Sequence, residues 1–301
     1  PGSVATLNLG GANSAQSRIL WDGIDISSMA SGVVDLSLVP SVLLSKQAVS
    51  SGANAALGAE SGMIGGLDLG WNTSSKTFFS TAFGGNSIGM RSFVVQNGGE
   101  FSGVRYRSYI KTEQSDNSYQ YTLGNNDFTM SGMEYSSLTL LQRYEGKLGR
   151  VRWNTNIWYT EGNKNSRGSI LTSGSRNHLE DRIVRGLITT QKRDVKATLF
   201  YGKEWQSYTD TASFLNLRDT NTYDQFSLRL AKNTKNYSSS LVAAYVQGAG
   251  TSRNTAMAQL NASHVHTIGK KMSIAGKMSY WNNTVVGGAQ VNWAGENKFG
   301  K

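Results

Sequence analysis

The residues able to do chemistry in this chain are few and scattered. Its 301 residues include three histidines, His178, His264 and His266, and no cysteine. Disulfides, thiolate metal sites and thiol nucleophiles are therefore excluded. His264 and His266 stand two apart in an alternating segment, so as a strand they would share one face. Two imidazoles there could begin a metal site, but no carboxylate joins them locally. Lining a polar lumen is the simpler role. No G-x-S-x-G elbow supports a Ser-His-Asp hydrolase. The run Gly62-Met63-Ile64-Gly65-Gly66 lacks the Lys-Ser/Thr pair and the helix that a phosphate-cradling loop requires, and reads as tight backbone bends. No catalytic residue, cofactor or metal site is expected, and the chain is not expected to be an enzyme.

Thirty Lys and Arg against 20 Asp and Glu give a net charge of +10. The cations are dispersed through short turns and alternating segments without a dense block, which does not suit a nucleic-acid partner. No run of about 18 apolar residues is present, so a helical membrane span is excluded. A β-barrel span is not, because its strands alternate lipid-facing and lumen-facing residues and average to a hydrophilic sequence. Thirty-four Gly, 2 Pro and abundant aromatic residues, Ser, Thr and Asn are turn-rich all-β usage.

Beyond Gly66 the pattern is repeated alternation. Segments 75–83, 90–96, 104–111, 138–144, 151–159, 183–190, 195–205, 226–231, 240–247, 257–266, 272–281 and 285–293, together with 66–71, make about thirteen candidate strands, each near the length a tilted strand needs to cross a bilayer. The alternation predicts Val151, Trp153, Ile157 and Tyr159 towards lipid and Arg152, Asn154 and Asn156 in the lumen. Connections 147–150, 191–194, 232–236 and 267–271 are short and mostly basic, while 161–179, 206–223 and 248–255 are longer and polar. Outer-membrane barrels show this asymmetry between periplasmic turns and external loops. Trp158, Tyr159, Trp205, Tyr208, Tyr280 and Trp281 fit an interfacial girdle or ordinary cross-strand packing.

The chain is organised around residues 17–72. A strand ends in Trp21-Asp22-Gly23, an apolar run from Val33 to Val39 is closed by Pro40, a hairpin-like segment spans Gly52 to Gly58, and Gly65-Gly66 opens an alternating strand. This order resembles the plug domain of TonB-dependent outer-membrane transporters, whose pattern is L-x-D-G, a hydrophobic-Pro step, an R-G-P-x-S-x-x-Y-G hairpin and a G-G-x-I-x-I strand. The matching positions are Leu20 to Gly23, Leu36 to Pro40, Gly52 to Gly58 and Gly65 to Leu69. Gly10 stands where the family usually has Arg. Ser45, Ala48 and Ser51 stand where it usually has charges that lock plug to barrel. The lock is therefore expected to differ from the family's, since burying one charge of a pair without the other is costly.

The resemblance implies an all-β protein with a small mixed α+β plug inside a transmembrane antiparallel barrel of the 22-stranded type. Residues 1–62 would be plug and residues 63–301 barrel. About 235 residues after the plug motif hold only half of such a barrel, at about 10 residues per strand. Pro1 opens no leader, no TonB box precedes the plug, and the terminal NKFGK lacks the family's closing aromatic residue, so a partial chain is expected.

As function, the resemblance implies import of a scarce ligand across the cell outer membrane. The plug would be rearranged by TonB with its inner-membrane energising complex. Outer-membrane lipid and a surface lipoprotein lid are further partners it implies. The wording of Arg18 to Gly23 and Val34 to Pro40 is closest to cobalamin-type receptors, and siderophore-iron, peptide and glycan importers share most of it. Ligand contact is expected at plug apices Asn13, Ser14 and Gln16, and Ser27, Ser28 and Met29, although small hydrogen-bonding residues are also what turns require. A transporter-like structural subunit of a larger outer-membrane assembly, and a soluble β-protein, are the rival readings.

Overall fold

The computed structural model describes residues 5–8, 17–28, 31–51, 65–71, 76–87, 89–167, 176–210, 217–234, 237–250, 255–268, 272–281 and 284–293. Four short strands, β1 (Ser17–Trp21), β2 (Ile24–Asp25), β3 (Lys46–Ser51) and β4 (Gly65–Gly70), form one sheet in the order β2-β1-β4-β3. Strand β1 runs parallel to β4 and antiparallel to β2. The β1–β2 hairpin turns on Asp22 and Gly23, at φ 50° and 87°. Two central residues with positive φ define the tight turn whose twist suits a hairpin, and Asp-Gly is a favoured pair for it. Between β2 and β3 the apolar run becomes two 3-10 turns, Leu36–Leu38 and Ser41–Ser45, separated by Val39 and Pro40. The first is capped by Asp35, whose carboxylate accepts the Ser37 amide at 2.9 Å. These turns are the plug's helical content among the described residues.

Strand β4 corrects one expectation. Residues 66–71 alternate as a barrel strand would, yet β4 pairs with β1 and β3 in the small sheet. Glycines at both ends of β4 leave it short, and burial of Leu67, Leu69 and Trp71 draws it into the plug core.

The second sheet has twelve antiparallel strands: β5 (Phe78–Gly85), β6 (Arg91–Phe101), β7 (Val104–Ser115), β10 (Tyr135–Leu148), β11 (Val151–Arg167), β12 (Arg176–Lys192), β13 (Val195–Asp210), β14 (Leu217–Asn233), β15 (Tyr237–Gly250), β16 (Thr255–Ile268), β17 (Met272–Trp281) and β18 (Thr284–Trp293). Each overlaps one of the alternating segments expected beyond residue 74. A separate hairpin, β8 (Tyr119–Leu123) with β9 (Asn126–Met130), occupies the connection from β7 to β10 and was not foreseen. Several strands run to 16 or 17 residues, longer than a bilayer crossing needs. Their extra length lies at the long-connection end, where 161–167 and 176–182 are polar on both faces and so lose the alternation that marks a strand in sequence.

One face of this wall carries a row that is apolar in all but its first residue. Thr155, Ile188, Leu199, Leu228, Ala243 and Leu260 stand opposite one another across six strands. Ile188, Leu199, Leu228 and Leu260 are each more than two-fifths exposed. The opposite face meets the plug. There Tyr109, Leu141, Trp158, Leu187 and Phe200 of the wall form one buried core with Ile19, Trp21, Ile24, Ile26, Val34, Val42, Leu43, Leu67, Leu69 and Trp71 of the plug. The plug is too small and too rich in Gly and Ser to close a core alone, and the wall supplies the missing half.

Asn156 is buried against the plug side and Ile157 is 48% exposed on the other, as the alternation predicts. Trp158 corrects the girdle expectation. It turns inward, is wholly buried, and meets Trp21 edge-on at 5.5 Å. His264 also departs from the lumenal role. It lies on the exposed face, with Nδ1 2.7 Å from Ser239 Oγ and its ring over Tyr237. The described residues hold no cluster of His, Asp and Glu able to bind a metal.

Candidate ligand site between plug and wall

Two features hold the plug to the wall, and both begin with polar groups that a buried interface must satisfy. The first is at the short-turn end. Asp22 faces Arg143 at 3.6 Å, Arg143 bonds Glu145 at 3.2 Å, and Glu145 bonds Arg105 at 2.7 Å. Wall side chains also grip plug backbone directly. Arg229 donates to the Gly23 carbonyl at 2.8 Å, Gln225 to that of Asp25 at 3.4 Å, and Arg185 to that of Ile26 at 2.9 Å. A Cβ at position 23 would displace the end of the Arg229 side chain, so glycine here suits the φ of 87° and leaves room for this hydrogen bond. Next to it, Asp68 accepts the Gly23 amide at 3.0 Å. Burial pushes the Asp68 carboxyl above the usual carboxylate range, with this hydrogen bond opposing and the Asp22 charge reinforcing the shift.

The second feature lies at the long-connection end. Lys164 reaches Asp35 in a short ion pair and Ser37 Oγ at 3.1 Å. Burial would raise the Asp35 carboxyl, but hydrogen bonds from Lys164 and Ser37 outweigh it and hold the group below its ordinary value. Thr160 Oγ1 lies 3.4 Å from the Leu38 carbonyl and accepts the Trp158 indole N–H at 2.6 Å. The two plug–wall ion pairs, Asp22–Arg143 and Asp35–Lys164, lie away from positions 45, 48 and 51. No local motif announces them, because each of the two joins residues more than 100 positions apart.

Above this lock is a cavity of about 130 Å³ between plug and wall. Its floor is Ile26, Val34, Leu38 and Trp158, and its polar rim is Ser28, Ser31, Asp181, Arg185, Glu204 and Gln206. Ser28 donates to Glu204 Oε1 at 2.6 Å, Gln206 to Asp181 Oδ1 at 2.9 Å, and the Arg185 guanidinium lies 4.5 Å over the Trp158 ring. An apolar floor under a few convergent polar groups is the lining of small-ligand sites, and at about 130 Å³ this cavity is smaller than the roughly 300 Å³ at which such sites usually begin.

Of the six apex residues expected from sequence, Ser28 lines this cavity. Ser27 is buried beside it, its amide and hydroxyl both donating to Asp25 Oδ1 at 2.8 and 2.7 Å. Asn13, Ser14, Gln16 and Met29 lie outside the described residues, as does the Gly52–Gly58 hairpin. The wall residues Asp181, Arg185, Glu204 and Gln206 were not foreseen. Inward charge at alternate strand positions was the available signal.

No protein-family model matches the chain, and no curated protein matches it. Solved structures do. The ferripyoverdine receptor of the outer membrane of Pseudomonas aeruginosa, bound to ferripyoverdine, aligns with a TM-score of 0.62 over 92% of this chain and 47% of its own, at 10% identity. The fold is shared with outer-membrane receptors. The siderophore receptor PiuA from Acinetobacter baumannii gives a TM-score of 0.59 over 92% of this chain and 53% of its own, at 11% identity. The copper transporter OprC gives 0.58 over 92% and 51%, at 10% identity. The chain spans about half the length of the structures it matches. At such identity the likeness carries the fold, and the ligand each name mentions belongs to that protein.

Proposed function

We propose that the chain is the plug and about half the barrel of a TonB-dependent receptor of the cell outer membrane, which imports a scarce small ligand. The observation that carries this reading is the plug seated against one face of the wall by a shared apolar core, with a polar-rimmed cavity open between them at the long-connection end. The exposed apolar row of the opposite face then meets outer-membrane lipid. In this reading residues 1–62 belong to the plug, and β4, which pairs in the small sheet, is counted with them, so that the barrel begins at β5. Ligand contact is assigned to Asn13, Ser14 and Gln16 and to Ser27, Ser28 and Met29, with Arg185, Glu204 and Gln206 of the wall lining the same cavity as Ser28. Cobalamin, a ferric siderophore or a metal ion is the cargo class. TonB, with its inner-membrane energising complex, would move the plug, and a surface lipoprotein lid is a further partner of this reading.

The test is uptake of labelled cobalamin, ferric siderophores and copper by cells carrying the intact protein, with and without TonB. A Ser28→Cys, Glu204→Cys pair provides a reversible tether of plug to wall. Uptake that needs TonB and is lost on oxidation and regained on reduction is expected. Binding without uptake in any state would favour the structural-subunit reading. That rival draws on the missing charges at Ser45, Ala48 and Ser51 and on the missing TonB box, and the ion pairs of Asp22 and Asp35 answer the first of these alone.

A further inference from the structure

A second cavity between plug and wall, of about 720 Å³, lies at the short-turn end beside the Asp22–Arg143 contact. Its lining holds six cations, Lys46, Arg105, Arg143, Lys147, Arg152 and Lys196, and three carboxylates, Asp22, Glu100 and Glu145. The strand register sorts the wall's charges into two levels of its inner face. On the level farther from the turns, Arg105 stands opposite Glu145 and Glu145 opposite Asn154. Each carboxylate of the cavity has an arginine beside it. Glu145 takes Arg105 at 2.7 Å and Arg143 at 3.2 Å, Asp22 faces Arg143 at 3.6 Å, and Glu100 stands opposite Arg105 in the β6–β7 pairing. One level nearer the turns, Lys147, Arg152, Gln191 and Lys196 stand side by side across four strands, a row without a carboxylate. Lys46 joins them from the plug. These four cations form no ion pair among the described residues. The charges of Asp22 and Asp68 reach Lys196 only at longer range, where those of Arg229 and Lys46 counter them.

We infer that this cavity is a second binding site, for a small polyanion bearing two or more carboxylate or phosphate groups. A cleft lined by one sign of charge concentrates the opposite ion, and the mutual repulsion of the row is relieved when that ion enters. Arg152 can take a carboxylate or phosphate through two parallel hydrogen bonds, with the lysines as point charges around it. A singly charged anion answers one cation of the four, so the row selects for multiple charge. The volume falls within the range of small-molecule sites, roughly 300–1,000 Å³. The inference goes beyond the import reading and does not depend on the cargo. In that reading the site lies on the periplasmic side of the plug.

Citrate and tripolyphosphate, titrated separately into the intact protein in detergent and followed by calorimetry, test the site, with acetate as the singly charged control. Binding of at least one polyanion is expected, with acetate about tenfold weaker or more, and the tighter polyanion identifies carboxylate or phosphate as the preferred group. Arg152 and Lys147 are exposed and stand outside the ion pairs that hold the plug. Arg152→Gln and Lys147→Gln are each expected to weaken the tighter polyanion about tenfold, the size of one charge-assisted hydrogen bond. Arg218→Gln removes the same charge from an exposed position at the long-connection end and is expected to leave binding unchanged. Absence of binding by both polyanions would overturn the inference. So would acetate binding as tightly, unchanged affinity in either cavity variant, or equal weakening by Arg218→Gln. The uptake test of the import reading stands apart from this titration. Uptake that fails with the anion site intact overturns the import reading alone, and uptake that persists without polyanion binding overturns the anion site alone.

Discussion

Lys164 of the wall and Asp35 of the plug form an ion pair with the ammonium side chain 4% exposed and the carboxylate side chain 14% exposed. Both charges leave water when the plug seats, so the pair secures position more than it adds net stability. Removing one partner strands the other. Lys164→Met is therefore expected to loosen the plug by about 3 kcal/mol, and Lys164→Met with Asp35→Asn to recover much of that loss. Denaturant titration followed by fluorescence of the Trp21–Trp158 pair reads both variants. Equal stability of the single and double variants would contradict a coupled pair.

The same pair sets one pH dependence. Asp35 titrates below its unfolded value, so its contribution is complete above the ordinary aspartate range, about pH 3.9. It is lost as pH falls through the lower folded value. Lowering the pH below 4 is expected to weaken the plug of the native protein more than that of Asp35→Asn. Parallel acid curves for the two would show that the pair does not titrate with unfolding.

Asp68 works in the opposite sense. Its folded value lies above its unfolded one, so ionisation at neutral pH opposes folding, and this cost fades as pH falls through the raised value. Asp68→Asn keeps an acceptor for the Gly23 amide and removes the charge. The variant is expected to be more stable than the native protein at pH 7 and nearly equal to it near pH 3. A destabilised variant at both pH values would mean that the charge is needed by Arg229 or Lys196.

The turn at Gly23 couples to Arg229. Arg229→Ala removes the charged hydrogen bond to the Gly23 carbonyl, a loss of about 1.5–3 kcal/mol. Gly23→Ala adds a Cβ at φ 87° and displaces the same guanidinium, for about 1–3 kcal/mol of strain and the loss of that bond. The two changes share one interaction, so the double variant is expected to lose less than the sum of the singles. Strict additivity in a thermal or denaturant cycle would separate the turn from the arginine.

How much of this was legible in the sequence depended on what each face of a strand meets. Ile157 faces outward and Asn156 inward, and the alternation showed it. Trp158 broke the pattern because the wall's inner face here meets the apolar plug residue Trp21 rather than water, so an inward position also prefers a large apolar side chain. Strand β4 alternated like its successors, and only its pairing partners, β1 and β3, distinguish a plug strand from a wall strand. Hairpin β8–β9 lay in a connection whose alternation spans five residues a side, too short to stand out. At the candidate site, Ser28 was singled out in sequence by its place in the plug motif, and it lines the cavity. Glu204 opposite it was not, since 176 residues separate the two and nothing local ties them.

The central claim is that the twelve-stranded wall turns one face to lipid and packs the plug against the other. Nitroxide labels at positions 156 and 157 of the intact protein in liposomes test it most directly, with lipid-soluble oxygen and a water-soluble nickel chelate as relaxation agents. Position 157 is expected to be far more accessible to oxygen than to nickel, and position 156 to be shielded from oxygen by the plug. Equal oxygen accessibility at the two positions, or the reverse order, would contradict the arrangement.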